Sequence, residues 1–100
     1  MTIDEIIDRI GFFRNRANLS ARALSLEIDR AANYINLLEN KRDFEPSLST
    51  LLAIIEACDS TPDEFFYCDY SQFKKDKELL CYIQNLSPNQ KEAILNLYKI

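Results

Sequence analysis

The sequence predicts an all-α fold, and three observations favour it. The chain of 100 residues contains one Gly and three Pro, which leaves little material for the tight turns of a β-sheet. Residues with high helix propensity, such as Leu, Ala, Glu and Lys, are abundant. Hydroxyl side chains of the kind that cap helix N-termini precede several apolar runs. A hydrophobic content of 47% indicates an ordered chain of one domain's size.

Capping side chains mark the helix starts in order along the chain. Three starts carry a hydroxyl followed three residues later by Glu or Gln, namely Thr2 with Glu5, Thr61 with Glu64 and Ser87 with Gln90. Ser20 and Ser47 are simpler N-cap candidates. With the apolar periodicity, these signals predict seven helices at about residues 3–17, 20–28, 31–39, 47–58, 62–67, 72–85 and 88–99.

Apolar residues at helical spacing define the inward faces of two of these helices. The first helix carries Ile3, Ile6, Ile7, Ile10, Phe13 and Ala17 on one stripe, and the fourth carries Leu48, Leu51, Leu52 and Ile55. Residues three and four apart share a helix face, so both stripes are expected to pack into the core.

The composition argues against an enzyme. The chain has no His, which removes the usual general acid–base group, the His-activated Ser and Cys nucleophiles and the mixed Cys/His zinc sites. The sequence also lacks a Gly-rich phosphate loop. We therefore expect no catalytic residue, no cofactor and no metal site.

The cysteines and the N-terminus indicate a reducing compartment. Cys58, Cys68 and Cys81 are odd in number, lack C-x-x-C spacing and have apolar neighbours, which is typical of reduced core thiols. The opening MTIDEIIDRI carries acids where a secretory signal carries bases. No apolar run approaches the roughly 20 residues that cross a bilayer. We expect a cytoplasmic protein with no membrane partner.

Charge is distributed in blocks along the chain. The net charge is −4, which taken alone disfavours a polyanionic partner. Residues 9–42, however, hold seven bases and three acids, whereas residues 43–66 hold six acids and no base. A surface built from residues 9–42 is therefore expected to be locally positive, which favours contact with phosphates; the alternative is ordinary solvated charge.

The segment 20–39 has the spacing of a helix-turn-helix motif, with two short helices joined around Asp29 and Arg30. Three residues of the second helix are expected to face inward: Ala31, Ile35 and Leu38. The outward face then carries Ala32, Asn33, Asn36, Leu37 and Asn40. A short, uncharged, amide-rich face suits the major groove, where Asn hydrogen-bonds base edges and apolar side chains contact thymine methyls; the alternative is a solvated helix surface.

Two segments, LSARALSLEIDRAANYINLLENKR and PSLSTLLAIIEACDSTPDEFF, together resemble the lambda-repressor-like family of helix-turn-helix domains, also called Cro-type or XRE. The resemblance covers about residues 7–66. The family fold has five packed helices, of which the third lies in the DNA major groove. The resemblance therefore implies a five-helix DNA-binding domain in residues 1–66, followed by a helical extension in residues 67–100.

The resemblance also implies roles for individual residues. The base-reading positions correspond to Ala32, Asn33 and Leu37, and Asn36 beside them is expected to read bases as well. The phosphate-contacting positions correspond to Ser20, Arg22, Asn40, Lys41 and Arg42, and Arg30 and Tyr34 are expected to contact phosphate beside them. Glu39 matches a family acid that pairs with an Arg of the first helix, and Arg14 occupies that place, so this pair is expected to be structural.

The chain departs from the family pattern at four positions. Ala21 and Ala32 stand where the family commonly has Gln, which removes direct hydrogen bonds to DNA. Asp29 stands where the turn usually has Gly, and Asp tolerates the left-handed conformation better than most residues. Arg30 replaces an apolar residue, and its stem is expected to cover the core while its guanidinium reaches toward phosphate.

The last 34 residues have the pattern of a helical hairpin. Its apolar residues are Phe73, Leu79, Leu80, Ile83 and Leu86, then Ala93, Ile94, Leu97 and Tyr98. This apolar side is expected to form the contact of a C2 homodimer, because helix-turn-helix proteins commonly pair on two half-sites; the alternative is that it folds onto its own domain.

These observations predict a small transcriptional regulator that binds double-stranded DNA in a sequence-specific way, with the helix at 31–39 in the major groove. The alternative is a protein-binding helix-turn-helix module of the antirepressor or antitoxin kind, which explains the net acidity and the missing Gln residues.

Overall fold

The computed structural model describes residues 1–99, which contain helices and no strand. The helices are α1 Ile3–Arg16, α2 Ala21–Glu27, α3 Tyr34–Asn40, α4 Leu48–Ala57, α5 Pro62–Phe65, α6 Phe73–Gln84 and α7 Pro88–Tyr98, with a 3₁₀ turn at Tyr70–Gln72 before α6. The all-α prediction is confirmed. The chain divides into two compact units, Met1–Phe66 with α1 to α5 and Tyr67–Ile100 with α6 and α7.

The five predicted N-caps are all present. Thr2 and Ser87 form complete capping boxes with the residues three positions later. The hydroxyls of Ser20, Ser47 and Thr61 accept backbone N–H bonds at the starts of α2, α4 and α5. Capping chemistry therefore fixes where most of the helices begin.

Four helices are followed by a residue in the left-handed conformation that is not Gly: Arg42 after α3, and an Asn or Asp after α1, α2 and α4. Asn18, Asp29 and Asp59 have φ of 59°, 58° and 61° after α1, α2 and α4. At each end two backbone bonds close the last turn; after α2 they run from Asp29 N to Leu26 O and from Arg30 N to Ser25 O. Short Asn and Asp side chains tolerate this conformation, which explains how a chain with one Gly ends so many helices.

The third helix begins later than predicted. It starts at Tyr34 rather than at residue 31, because residues 31–33 form a turn in which Tyr34 N donates to Ala31 O at 2.9 Å. Asn33 takes the N-cap position, which Asn favours over a helix interior. The expectation that Ala31 faces inward is wrong: Ala31 is exposed, whereas Ile35 and Leu38 are fully buried.

The core of the first unit collects apolar side chains from all five of its helices: Ile7, Ile10 and Phe13 of α1, Leu24 of α2, Ile35 and Leu38 of α3, Leu51, Ile54 and Ile55 of α4, Phe65 of α5, and Cys58 after α4. The predicted stripes were too wide, since Ile3, Leu48 and Leu52 are exposed. The buried stripe of α4 is centred near Leu51, and Leu52 lies one residue, or about 100°, around the helix from it.

The second unit contains the 3₁₀ turn, α6 and α7, and none of residues 67–99 is buried. Leu79, Leu80, Leu95 and Leu97 are at least half exposed. The prediction of three core thiols is wrong for two of them, because Cys68 and Cys81 in this unit are exposed. Cys58 is buried in the first unit, and burial raises its pKa to about 11.

Candidate nucleic-acid interface

A buried hydroxyl fixes the turn between α2 and α3. Ser25 is fully buried, and its Oγ donates to Ala21 O at 2.8 Å and accepts from Ile35 N at 3.0 Å. One side chain thus satisfies backbone groups of both helices and holds them together. Sequence reasoning missed this role, because Ser occurs equally well on exposed helix surfaces.

An ion pair holds α3 against α1. Arg14 Nε and Nη2 donate to Glu39 Oε1 and Oε2 at 2.9 and 3.0 Å, which is the bidentate geometry expected for this pair. Arg14 Nη1 also donates to Leu19 O at 2.9 Å. Both side chains are largely buried, with 16% and 17% of their surface exposed. The orientation of α3 is therefore set by contacts with both neighbouring helices.

The outward face of α3 and the preceding turn carries no charged side chain. Asn33, Asn36 and Asn40 are exposed, while Ala32 and Leu37 are half-buried beside them. Asn33 caps no backbone N–H with its side chain. We call these five residues the amide face. Four of them are the residues predicted to read bases, and the fifth, Asn40, is one of the residues predicted to contact phosphate.

Two amides of this face are bonded to each other across one helical turn. Asn40 Nδ2 donates to the backbone O of Asn36 at 2.9 Å and also to Asn36 Oδ1. A backbone carbonyl only accepts, so the end of the Asn40 amide that faces α3 is its NH2 group. The second turn of α3 therefore presents a pre-ordered pair of amides.

An aromatic and cationic cluster lies at the start of α3. The Tyr34 ring packs on Phe44 with centroids 5.5 Å apart, and the Arg30 guanidinium lies 5.4 Å from the Tyr34 centroid. Arg30 Nη2 also donates to Thr50 Oγ1 at 2.7 Å. The structure thus places Arg30 and Tyr34, two predicted phosphate contacts, side by side, with Arg30 tied to α4.

Arg42 is engaged by acids of the first helix. Arg42 Nη2 lies 2.6 Å from Asp8 Oδ1, and Nη1 lies 3.5 Å from Asp4 Oδ1. The hydrogen bond to Asp8 is the main reason that the pKa of Arg42 is raised. Arg42 also adopts a φ of 55°, which is uncommon for a long side chain. The predicted phosphate contact therefore already holds two carboxylates.

The remaining predicted phosphate residues lie at the ends of the two helices. Ser20 accepts the Ala23 N–H at 2.9 Å as the N-cap of α2, which leaves its own proton available for donation. Arg22 on α2 and Lys41 after α3 are exposed, and the side chain of neither makes an ion pair or hydrogen bond within residues 1–99. These two side chains can extend freely to an anion.

A second bidentate ion pair was not predicted. Arg16 Nη1 and Nη2 donate to Glu64 Oε2 and Oε1 at 3.0 and 2.7 Å, and Ser60 Oγ donates to Glu64 Oε1 at 2.7 Å. The hydrogen bond to Glu64 raises the pKa of Arg16. In the sequence, Glu64 is part of a predicted N-terminal capping motif. Nothing near it indicates an ion pair with Arg16, which is 48 residues away. The pair closes α5 on α1.

The other end of α2 is acidic. An open groove of about 550 Å³ between α2 and α4 is lined by Glu27, Asp29, Glu56 and Asp59, with Ile28, Ala53 and Ala57 between them. Four carboxylates without a cation among the lining residues repel a polyanion. Charge on α2 is therefore polarised, with Arg22 near its start and carboxylates at and beyond its end.

No helix within residues 1–99 is long and apolar enough to span a membrane. Within the same residues no three Cys, Asp or Glu side chains are placed so that together they could hold a metal ion. Comparison with protein-family models, with curated proteins and with solved structures finds no match to this chain.

Proposed function

We propose that this protein is a sequence-specific double-stranded DNA-binding protein, a small transcriptional regulator rather than an enzyme, whose first unit has the lambda-repressor-like five-helix arrangement. The observation that carries the proposal is the amide face: an exposed, uncharged surface on a short helix that Ser25 and the Arg14–Glu39 pair hold rigidly. Solvated helix surfaces are usually rich in Lys and Glu, whereas a major groove accepts amides and small apolar groups.

In this proposal α3 enters the major groove. Asn33 and Asn36 contact base edges, and Ala32 and Leu37 contact thymine methyls. Phosphate contacts on the two sides come from Ser20 and Arg22 on α2 and from Tyr34 and Lys41 on α3 and the loop after it, with Arg30 and Arg42 beside them. Asn40 was also predicted to contact phosphate, but its NH2 group is bonded to Asn36, so it is not assigned to this set. Phosphate contacts fix the position of the helix and carry no sequence information.

The hairpin of α6 and α7 is assigned to homodimer formation. Its leucines are exposed, and a two-helix unit without any buried residue gains little from its own packing. Pairing with the hairpin of a second copy would cover these leucines and place two α3 helices for two half-sites about one helical turn of DNA apart. Sedimentation equilibrium tests this assignment: a protein that stays monomeric at micromolar concentration contradicts it.

The proposed function is tested by selecting bound fragments from a random duplex pool and measuring their affinity by fluorescence anisotropy at several salt concentrations. We expect one enriched sequence and an affinity that falls steeply with salt, because each neutralised phosphate contributes about −0.9 to the slope of log K against log salt. Lys41→Ala should weaken binding to all sequences and reduce this slope by about 1 per site. Binding without enrichment, or no binding, contradicts the proposal.

A second candidate function is recognition of a protein partner, as in antirepressors or antitoxins. The observation that favours it is the engagement of the arginines: Arg14, Arg16 and Arg42 all pair with carboxylates of the same chain. Fewer free cations leave less charge for phosphate contacts. Weak, salt-independent retention of every duplex together with stoichiometric capture of a defined protein would support this candidate over DNA binding.

A further inference from the structure

The amide face contains a donor and an acceptor in a fixed order, and this order distinguishes one base from the others. The NH2 group of Asn40 is engaged by Asn36, to whose backbone O and Oδ1 it donates. Asn40 is left with its Oδ1, which only accepts. Asn36 keeps its NH2 group, which only donates and has no partner within the described residues. The linked pair therefore offers one donor side and one acceptor side.

In the major groove, adenine presents an acceptor at N7 and a donor at N6. The Asn36 NH2 group matches N7, and the Asn40 Oδ1 matches the N6 amino group. Guanine presents acceptors at both N7 and O6, so O6 would face the Asn40 oxygen without a proton between them. The bonded pair thus accepts adenine and disfavours guanine.

The neighbouring residues point to the same base pair. Leu37 and Ala32 lie half-buried on this face and offer apolar surface of the kind that contacts the methyl group of thymine. The amide face also lacks Arg and Lys, which are the side chains that most often read guanine. Three separate features of one short helix therefore favour an A·T base pair. They are the bonded amide pair, the apolar side chains beside it and the lack of a cation that reads guanine.

We propose that the Asn36–Asn40 pair reads an adenine in the major groove and that the half-site facing α3 is centred on A·T base pairs. This inference rests on the proposed function and adds the base composition that the site recognises. Asn36 is the base-contacting residue, and Asn40 both contacts the base and orients Asn36.

The test uses the full chain and a duplex selected from a random pool. Each adenine of the selected half-site is replaced in turn by 7-deazaadenine, which lacks the N7 acceptor. We expect the replacement at one position to weaken binding of the unaltered protein by about fivefold to 100-fold, as for loss of a base-specific contact. The Asn36→Ala variant should bind the two duplexes equally. Asn15→Ala makes the same change on the exposed surface of α1 and should keep the full sensitivity.

A second measurement replaces thymine by uracil, which removes only the methyl group. The unaltered protein should lose affinity at the base pair next to Leu37, and Leu37→Ala should not discriminate between the two bases. For each protein, the affinity for the thymine duplex is divided by the affinity for the uracil duplex. A variant with lower stability binds both duplexes less well, so its ratio stays unchanged unless the methyl contact is lost.

The possible results separate the inference from the function on which it depends. Selected half-sites with G·C at their centres, or insensitivity to 7-deazaadenine at every position, would overturn the adenine assignment while leaving DNA binding intact. Failure to retain any duplex would overturn the proposed function and this assignment with it.

Discussion

The ion pair between Arg14 and Glu39 gives the sharpest quantitative prediction for the fold that supports α3. Two charge-assisted hydrogen bonds of 2.9 and 3.0 Å join the side chains, and only 16% and 17% of their surfaces are exposed. Removing one partner leaves a largely buried charge with its desolvation cost uncompensated. The free energy of unfolding that is lost on breaking this pair should therefore lie between the values known for exposed and for fully buried ion pairs.

We therefore expect Arg14→Met and Glu39→Gln each to lower the free energy of unfolding by about 2–3 kcal/mol, since exposed pairs contribute below about 1 kcal/mol and breaking buried ones costs about 3–5 kcal/mol. The double variant should lose less than the sum of the two, with a coupling energy of about 2 kcal/mol. Urea unfolding followed by far-ultraviolet circular dichroism measures all four proteins.

The exposed pair of Arg42 with Asp8 is the matched control, and Arg42→Met with Asp8→Asn should show much weaker coupling because water screens both groups. Additive effects of Arg14→Met and Glu39→Gln would refute the reasoning, since they would mean that the two side chains do not depend on each other in solution.

Three further predictions follow from single contacts. Gly11→Ala should raise the free energy of unfolding by about 0.5–1 kcal/mol, because Gly11 is inside α1 and an added Cβ meets Glu39 Oε1 at an ordinary 3.6 Å; unchanged or lower stability in urea unfolding would contradict this. Asp8→Asn should tighten binding to the selected duplex by releasing Arg42, and unchanged anisotropy titrations would count against it. A thiol reagent near pH 8 should modify two cysteines of the folded protein, Cys68 and Cys81, and reach Cys58 only on unfolding; three fast-reacting thiols in the native protein would be the contrary result.

The raised pKa of Cys58 gives a pH dependence of stability with a defined sign. The folded state keeps the Cys58 proton up to about pH 11, whereas the unfolded chain releases it near the ordinary thiol value of 9.0. The stabilising contribution is therefore complete below pH 9 and is lost as the pH rises toward 11. Urea midpoints of the unaltered protein should fall more steeply over this range than those of Cys58→Ala; parallel curves would show that the thiol does not contribute.

Local chemistry made most of the helices predictable. Ser20 and Ser47 indicate helix starts because their caps act within three residues, and Asp29 adopts the left-handed conformation that the turn requires. The sequence predicts the start of α3 three residues too early, because Ala31 and Ala32 have high helix propensity whereas Asn33 takes the N-cap position. Helix propensity alone does not locate an N-cap residue such as Asn33, whose side chain makes no hydrogen bond to a backbone N–H of the helix.

The candidate site was predictable only in part, because its electrostatics depend on chain segments far apart in sequence. The residues next to Arg42 in the sequence predict a cation without an ion-pair partner. In the structure Arg42 pairs with Asp8 of α1, which is 34 residues away. Arg16 and Glu64 meet across 48 residues in the same way. Spacing within one helix identifies the face that carries the amides, but it contains no information about which charges neighbouring helices neutralise.

The most direct test of the central claim is an NMR titration of the isotope-labelled protein with a duplex selected from a random pool. If α3 enters the major groove, the side-chain NH2 signals of Asn33 and Asn36 should shift strongly, with backbone changes confined to α2, α3 and the loop that contains Lys41. Unchanged Asn signals, or shifts that cluster on the acidic groove between α2 and α4, would contradict the account.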